Sequence, residues 1–191
     1  MCLGSSRSNP CAELMLARMF GVPAFATAPA EARDALEFGF VWNPRLSNRF
    51  PSYFHLAPED IEADDAAAAK KIRSQKASAL WSAKKVYLDE VTPQRWGETF
   101  GLCLAQRRRG RQVWLLLLGI TGAATYLAAK VANRMVTRLH ESADDSRPSP
   151  VYWGIVRAKV AKAQAGEFFN LRQFDEEESH SQPPLPAVGT D

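Results

Sequence analysis

Seventeen consecutive residues without a charge, Val113 to Ala129, constrain this chain more than any other feature. As a helix they would span about 26 Å at 1.5 Å per residue. That is near the lower limit for crossing a hydrocarbon core about 30 Å thick. The flanks suit a span. Arg111 on one side and Lys130 and Arg134 on the other are placed to snorkel, and Trp114 and Tyr126 lie near the ends, where interfacial aromatics gather. The alternative for the same residues is a buried helix of a soluble domain. The flanks favour the span, and a single transmembrane helix is the expectation. Just before it stand Arg107, Arg108, Arg109 and Arg111, a basic collar that would hold the N-terminal half on the side from which the chain inserts.

The expected fold class follows from the run. It is all-α, with a single transmembrane helix, extramembrane helices on both sides, and extended arms that depend on partners. Nothing breaks the membrane helix before Ser142, so it is expected to cover 112–141. Beyond the apolar run Lys130, Arg134 and Arg138 recur at i, i+4 and i+8 as one basic face suited to anionic lipid headgroups such as cardiolipin. Within the run Gly119 and Ala123, and likewise Ala124 and Ala128, form small-xxx-small pairs that let a neighbouring helix approach. Arg107, Arg108, Arg109, Arg111, Trp114, Lys130, Arg134 and Arg138 are the expected membrane-interface residues.

Before the collar, residues 31–111 read as an arm and helices. Phe38, Phe40, Trp42, Phe50, Tyr53 and Phe54 follow no helical or strand period, and such an aromatic stretch is expected to lie on a partner through Phe50, Tyr53, Phe54 and Trp81. Pro58 followed by acids and then by Lys70, Lys71 and Arg73 reads as a solvated helix to Ala79. Trp81-Ser82 breaks it, and a short helix follows to Leu88. Thr92-Pro93 reads as the start of a helix carrying Trp96, Phe100 and Cys103. Residues 1–30 are acid-poor and read either as a mitochondrial targeting segment or as a disordered terminus. Residues 142–178 are expected to hold a linker, a helix starting at Pro150 and an aromatic segment. Residues 179–191, rich in Pro and Ser, are expected to be disordered.

Function is bounded mainly by what is missing. With 24 Lys and Arg against 21 Asp and Glu the net charge is +3, too mild for nucleic-acid binding to be the default. Cys2, Cys11 and Cys103 lack zinc-site spacing, and His55, His140 and His180 stand alone. No hydrolase, metalloprotease, P-loop or dinucleotide motif occurs. The expectation is a non-catalytic chain without a metal or cofactor of its own.

Five short features in order resemble subunit IV of mitochondrial cytochrome c oxidase. They are Pro51-Ser52-Tyr53, Ala79-Leu80-Trp81-Ser82, Lys84-Lys85-Val86-Tyr87-Leu88, Trp114 at the head of the span, and Phe174-Asp175-Glu176. The resemblance covers roughly residues 45–178; the long N-terminal segment, the arginine collar and the Pro-rich tail depart from it. It implies an accessory subunit that stabilises and assembles a catalytic core. Haem a and copper would lie only in partner subunits. The site would be the inner mitochondrial membrane, with the N-terminus in the matrix and the C-terminus in the intermembrane space. Its implied partners are integral membrane subunits of the respiratory complex. Two other readings share the residues: an accessory subunit of complex I or the ATP synthase, and a membrane-anchored adaptor.

Overall fold

The structure is a computed structural model that describes residues 1–4, 7, 9–33, 35–43, 50–61, 66–75, 77–82, 85–89, 97–108, 112–141, 150–161 and 170–182. It is a mixed α/β fold with two sheets, which corrects the all-α expectation. Among the described residues no helix is long and apolar enough to cross a membrane.

In chain order the elements are β1 (Cys2–Leu3), α1 (Pro10–Phe20), α2 (Ala30–Arg33), β2 (Phe38–Val41), β3 (His55–Leu56), a 3-10 turn (Pro58–Asp60), α3 (Ala66–Gln75), β4 (Ala79–Ser82) and β5 (Lys85–Leu88). Then come β6 (Glu98–Arg107), β7 (Val113–Gly119), α4 (Gly122–Glu141), β8 (Val151–Ala161) and β9 (Asn170–Gln182). One sheet has the order β1-β7-β6-β8-β9 and the other β3-β2-β4-β5. Pairing is antiparallel except for β1 with β7 and β2 with β3.

The 17-residue run divides between a strand and a helix, and its packing explains why. Leu116 and Leu118 enter the larger core, with Trp114 packed against it; Leu117 enters the smaller one, with Val113 and Leu115 against it. A strand buried on both faces shows no alternation and reads as a continuous apolar run. The second half of the run opens α4. Its small residues pack on the sheet rather than on another helix. A Cβ on Gly101 would fall on the Ala124 carbonyl and close to Ala128, and one on Gly119 would fall on the backbone of Ala124 and Thr125. Ala123, Ala124 and Ala128 are buried in that seam. Thr121 caps the helix by accepting from the Ala124 amide (3.2 Å).

The other expected helices need similar correction. Residues 79–82 and 85–88 form the β4–β5 pair, 98–107 form β6, and 151–161 form β8. The segment expected to be a disordered tail contributes to β9 as far as Gln182. The charged stretch after Pro58 becomes a 3-10 turn and then α3, tied to α2 by an ion pair from Arg33 to Asp60. Residues 14–20 belong to α1, capped by Asn9 and stopped by Gly21 in the left-handed conformation.

The aromatic stretch is core. Tyr53 and Phe54 are 2% and 1% exposed. Phe20, Phe38 and Phe54 form a ring cluster with centroids 5.2–5.4 Å apart, and Phe38 also meets Trp153 at 5.1 Å. Phe50 is half-buried with its ring on Phe25, and Trp81 is half-buried at the edge of the same core. These residues fold against the chain's own sheets and build the larger core, where a contact with a partner was the expectation. The smaller core, under α4, holds Cys103, Ala105, Leu117, Leu127, Ala128, Val131, Ala132 and Val156.

Candidate anionic-ligand interface

The β6–β7 hairpin carries Arg107 and Arg108, two of the arginines singled out from the sequence. Gln106 pairs with Trp114 and Arg107 with Val113. The Arg108 amide then donates to the Gln112 carbonyl at 2.8 Å and closes the turn. Arg109 and Arg111 lie between these two positions, outside the described residues.

Alternation divides the arginines between the two faces of the sheet. Arg107 continues the row of Cys103 and Ala105, the face that α4 covers. Arg108 lies on the other face, beside Gln106. Its guanidinium carbon stands 4.2 Å from the centroid of the Trp114 ring, and its Nη1 donates to Gln106 Oε1 at 2.9 Å. Gln106 is fully buried and donates from Nε2 to the Met19 carbonyl near the end of α1 (3.2 Å). A buried side chain fixed to a helix end therefore orients a half-exposed arginine stacked on a half-exposed tryptophan. Arg108 is held in place before any ligand arrives, which lowers the ordering cost of binding.

The second basic segment reaches the same end of the sheet. α4 begins beside Gly101 and Gly119, the end of β7 far from the turn. Its 20 residues extend about 30 Å, whereas the seven residues of β7 cover only about 24 Å. The chain then re-enters the sheet at β8, where Tyr152 pairs with Ala105, again at the turn end. The helix thus runs back along the sheet, and Arg134 and Arg138 occupy positions in the half that approaches the arginine turn. Lys130 is midway, exposed, with its ammonium 5.1 Å from the Tyr126 ring centroid; Tyr126 is 45% exposed. Residues 107–111 and 130–141 together carry seven cations against one carboxylate, Glu141.

The sequence reading found these cations but set the two groups on opposite sides of a bilayer. The fold turns the second half of α4 back toward the end of the sheet that carries Arg107 and Arg108, with Lys130 midway. The expected helix-packing residues Gly119, Ala123, Ala124 and Ala128 lie at and near the other end. Phe50, Tyr53, Phe54 and Trp81 belong to the core and its margin. Gln106 was missed; a lone Gln between apolar residues gives no signal in the sequence that it will be buried and bonded.

Other polar groups inside the fold are structural. Thr99 donates to Asp89 Oδ2 at 2.7 Å and meets the capping Thr121 hydroxyl at 3.3 Å, joining the end of β5, β6 and the start of α4. His55 stands edge-on to Trp42, and burial, with Arg7 nearby, pushes its pKa down to about 4. Among the described residues no three His, Cys, Asp or Glu side chains cluster as metal ligands. No family model matches the chain, and no curated protein or solved structure is found to be similar to it.

Proposed function

We propose that this chain is a non-catalytic accessory module that seats on an anionic bilayer face through the arginine turn and the second half of α4. The observation that carries the reading is the turn end of β6 and β7, where Arg108 is already stacked on Trp114 and toward which the half of α4 holding positions 134 and 138 runs. Cations near an anionic leaflet contribute about 1 kcal/mol each. Five or six acting together would give a Kd of roughly tens to hundreds of micromolar. Tryptophan prefers the headgroup level, where its ring is half wet. Nucleic acid is the weaker candidate, because a net charge of +3 supplies little long-range attraction outside this one end. The oxidase resemblance implies a membrane span, and among the described residues no helix is long and apolar enough to make one. The proposal therefore keeps its coarser content: an accessory chain without chemistry of its own, held at the membrane that houses its partners, with cardiolipin-type lipid as its contact.

Co-sedimentation with phosphatidylcholine vesicles, with and without cardiolipin, tests this. Binding is expected only when cardiolipin is present, and it should weaken as salt shortens the Debye length below about 10 Å. Equal binding to neutral vesicles, or none to either, would overturn the proposal. Tighter binding to single-stranded RNA than to cardiolipin vesicles would overturn it in favour of nucleic acid.

A further inference from the structure

One side chain joins two of the chain's cysteines. Asn9 Nδ2 donates to the Cys2 sulfur at 3.6 Å and to the Leu3 carbonyl at 2.8 Å. Asn9 Oδ1 accepts from the Cys11 amide at 3.0 Å. A single amide group thus ties β1 to the first turn of α1, and it sets the Cys2 sulfur within about 9 Å of the Cys11 nitrogen. The thiols also act on each other. Burial raises the Cys2 pKa, and charge on Cys11 raises it further. Cys11 is exposed, Cys2 is half-buried against the larger core, and both thiols are free. The third cysteine, Cys103, is buried under α4.

The strand that carries Cys2 is lightly held. β1 has two residues, which pair with Leu116 and Leu117 at one edge of the larger sheet. The Gly4 amide adds a bond to the Leu117 carbonyl (3.0 Å). An element fixed by so few bonds opens locally at small cost. A Cα separation of about 4.4–6.8 Å suits a disulfide. A short strand that shifts and an exposed side chain that rotates let Cys2 and Cys11 reach it.

We infer that Cys2 and Cys11 are a redox pair, which closes to a disulfide and locks β1 onto the start of α1. The oxidant is a small disulfide such as glutathione disulfide. The exposed Cys11 thiolate attacks one of its sulfurs, a mixed disulfide with glutathione forms, and one glutathione thiolate leaves. The Cys2 thiolate then attacks the Cys11 sulfur and expels the second glutathione. The two protein thiols are oxidised, one glutathione disulfide is reduced to two glutathione molecules, and the two thiol protons go to them. The closed ring runs from residue 2 to residue 11. Among the described residues β1 is the one strand that covers β7 on this side, so the bond fastens that cover. The inference is independent of the bilayer proposal, because neither thiol belongs to the arginine turn or α4.

The test treats the full, folded chain with glutathione disulfide and reads the thiols by mass after an acid quench, with amide hydrogen exchange alongside. The parent should become two hydrogens lighter, with a proteolytic fragment that links Cys2 to Cys11 and with Cys103 still reduced. Exchange of the Gly4 amide should slow at least tenfold, while that of Leu102, in the middle of the sheet, stays as it was. Cys2→Ser should stop at the mixed disulfide and keep one glutathione on Cys11. Cys11→Ser should slow the oxidation of Cys2 at least tenfold, because the exposed thiol that starts the exchange is gone. Four results would overturn the inference: a parent that stays fully reduced, a parent that keeps glutathione on Cys11, a disulfide between two chains, or a Cys2–Cys11 bond with unchanged exchange at Gly4. All four are read on the parent, so none depends on a variant folding.

Discussion

At one end of the β6–β7 hairpin, Gly101 and Gly119 let the backbone of α4 settle onto the sheet; at the other, Arg107, Arg108 and Trp114 stand half-exposed around a turn. The same two strands serve both ends. The glycine end is neutral, buried and intolerant of a single added carbon. The arginine end is charged, wet, and held by one buried glutamine. The difference teaches that stability and recognition are separated along the strand axis. A substitution at either end should therefore move one property and spare the other.

The largest effect belongs to the glycine end. Gly119→Val drives a branched side chain into the backbone of Ala124 and Thr125, where no flexible atom can yield. Overpacking of this kind costs about 3 kcal/mol, read as a lower urea midpoint with an unchanged slope. Protein that remains folded should bind cardiolipin vesicles as the parent does. Lost binding with unchanged stability would erase the distinction between the ends.

This division was only partly legible in the sequence. The cations were visible. Their meeting was not visible, because it depends on what joins them. A helix through Val113 to Ala129 would hold Arg111 and Lys130 a bilayer apart, whereas a seven-residue strand and a returning helix turn the second half of α4 back toward Arg107 and Arg108. Leu115 to Leu118 carry no alternation because both faces of β7 are covered. Pro150 was read as a helix start, yet Val151, Tyr152, Trp153, Ile155 and Val156 are the β-branched and aromatic residues that favour a strand. The fully buried Trp153 records which signal prevailed.

Next in size is α1, which lends its Met19 carbonyl to the arginine end. Glu13 on this helix is fully buried, and neither carboxyl oxygen makes a hydrogen bond of normal geometry. Burial raises its pKa, opposed by the Ser52 hydroxyl and the backbone amides of Phe25 and Tyr53. A folded pKa above the unfolded value means that the protonated group's contribution is complete below about pH 4.5 and is lost as pH rises through the folded value. Glu13→Gln should remove that loss and stabilise the chain by about 1–2 kcal/mol at neutral pH, with a flatter dependence of the urea midpoint on pH. A variant that unfolds more easily than the parent at neutral pH would show that the carboxylate is needed in its ionised form.

A smaller effect is expected at Gln106, the residue that links α1 to the turn. Gln106→Leu keeps the volume but leaves the Met19 carbonyl without its side-chain donor and Arg108 without its acceptor. Stability should fall by about 1 kcal/mol, and vesicle binding should weaken although no charge has been removed. A stability loss with full binding would mean that the arginine needs no buried support, and the two ends would then differ in charge alone.

The smallest change separates a placed arginine from a diffuse positive field. Arg108→Ala removes one cation and its stack on Trp114, and should weaken binding to cardiolipin vesicles by about 1 kcal/mol, roughly fivefold. Arg108→Lys keeps the charge but loses the planar group that lies on the ring and reaches Gln106. Its binding should fall between the parent and the alanine variant. Lys130→Ala is the internal comparison, because Lys130 carries the same charge midway along α4, against Tyr126 rather than at the turn. If position matters, its loss should cost less than that of Arg108. If all three variants weaken binding in proportion to charge alone, the arrangement of Gln106, Arg108 and Trp114 contributes nothing beyond its charge, and the arginine end is a field rather than a site.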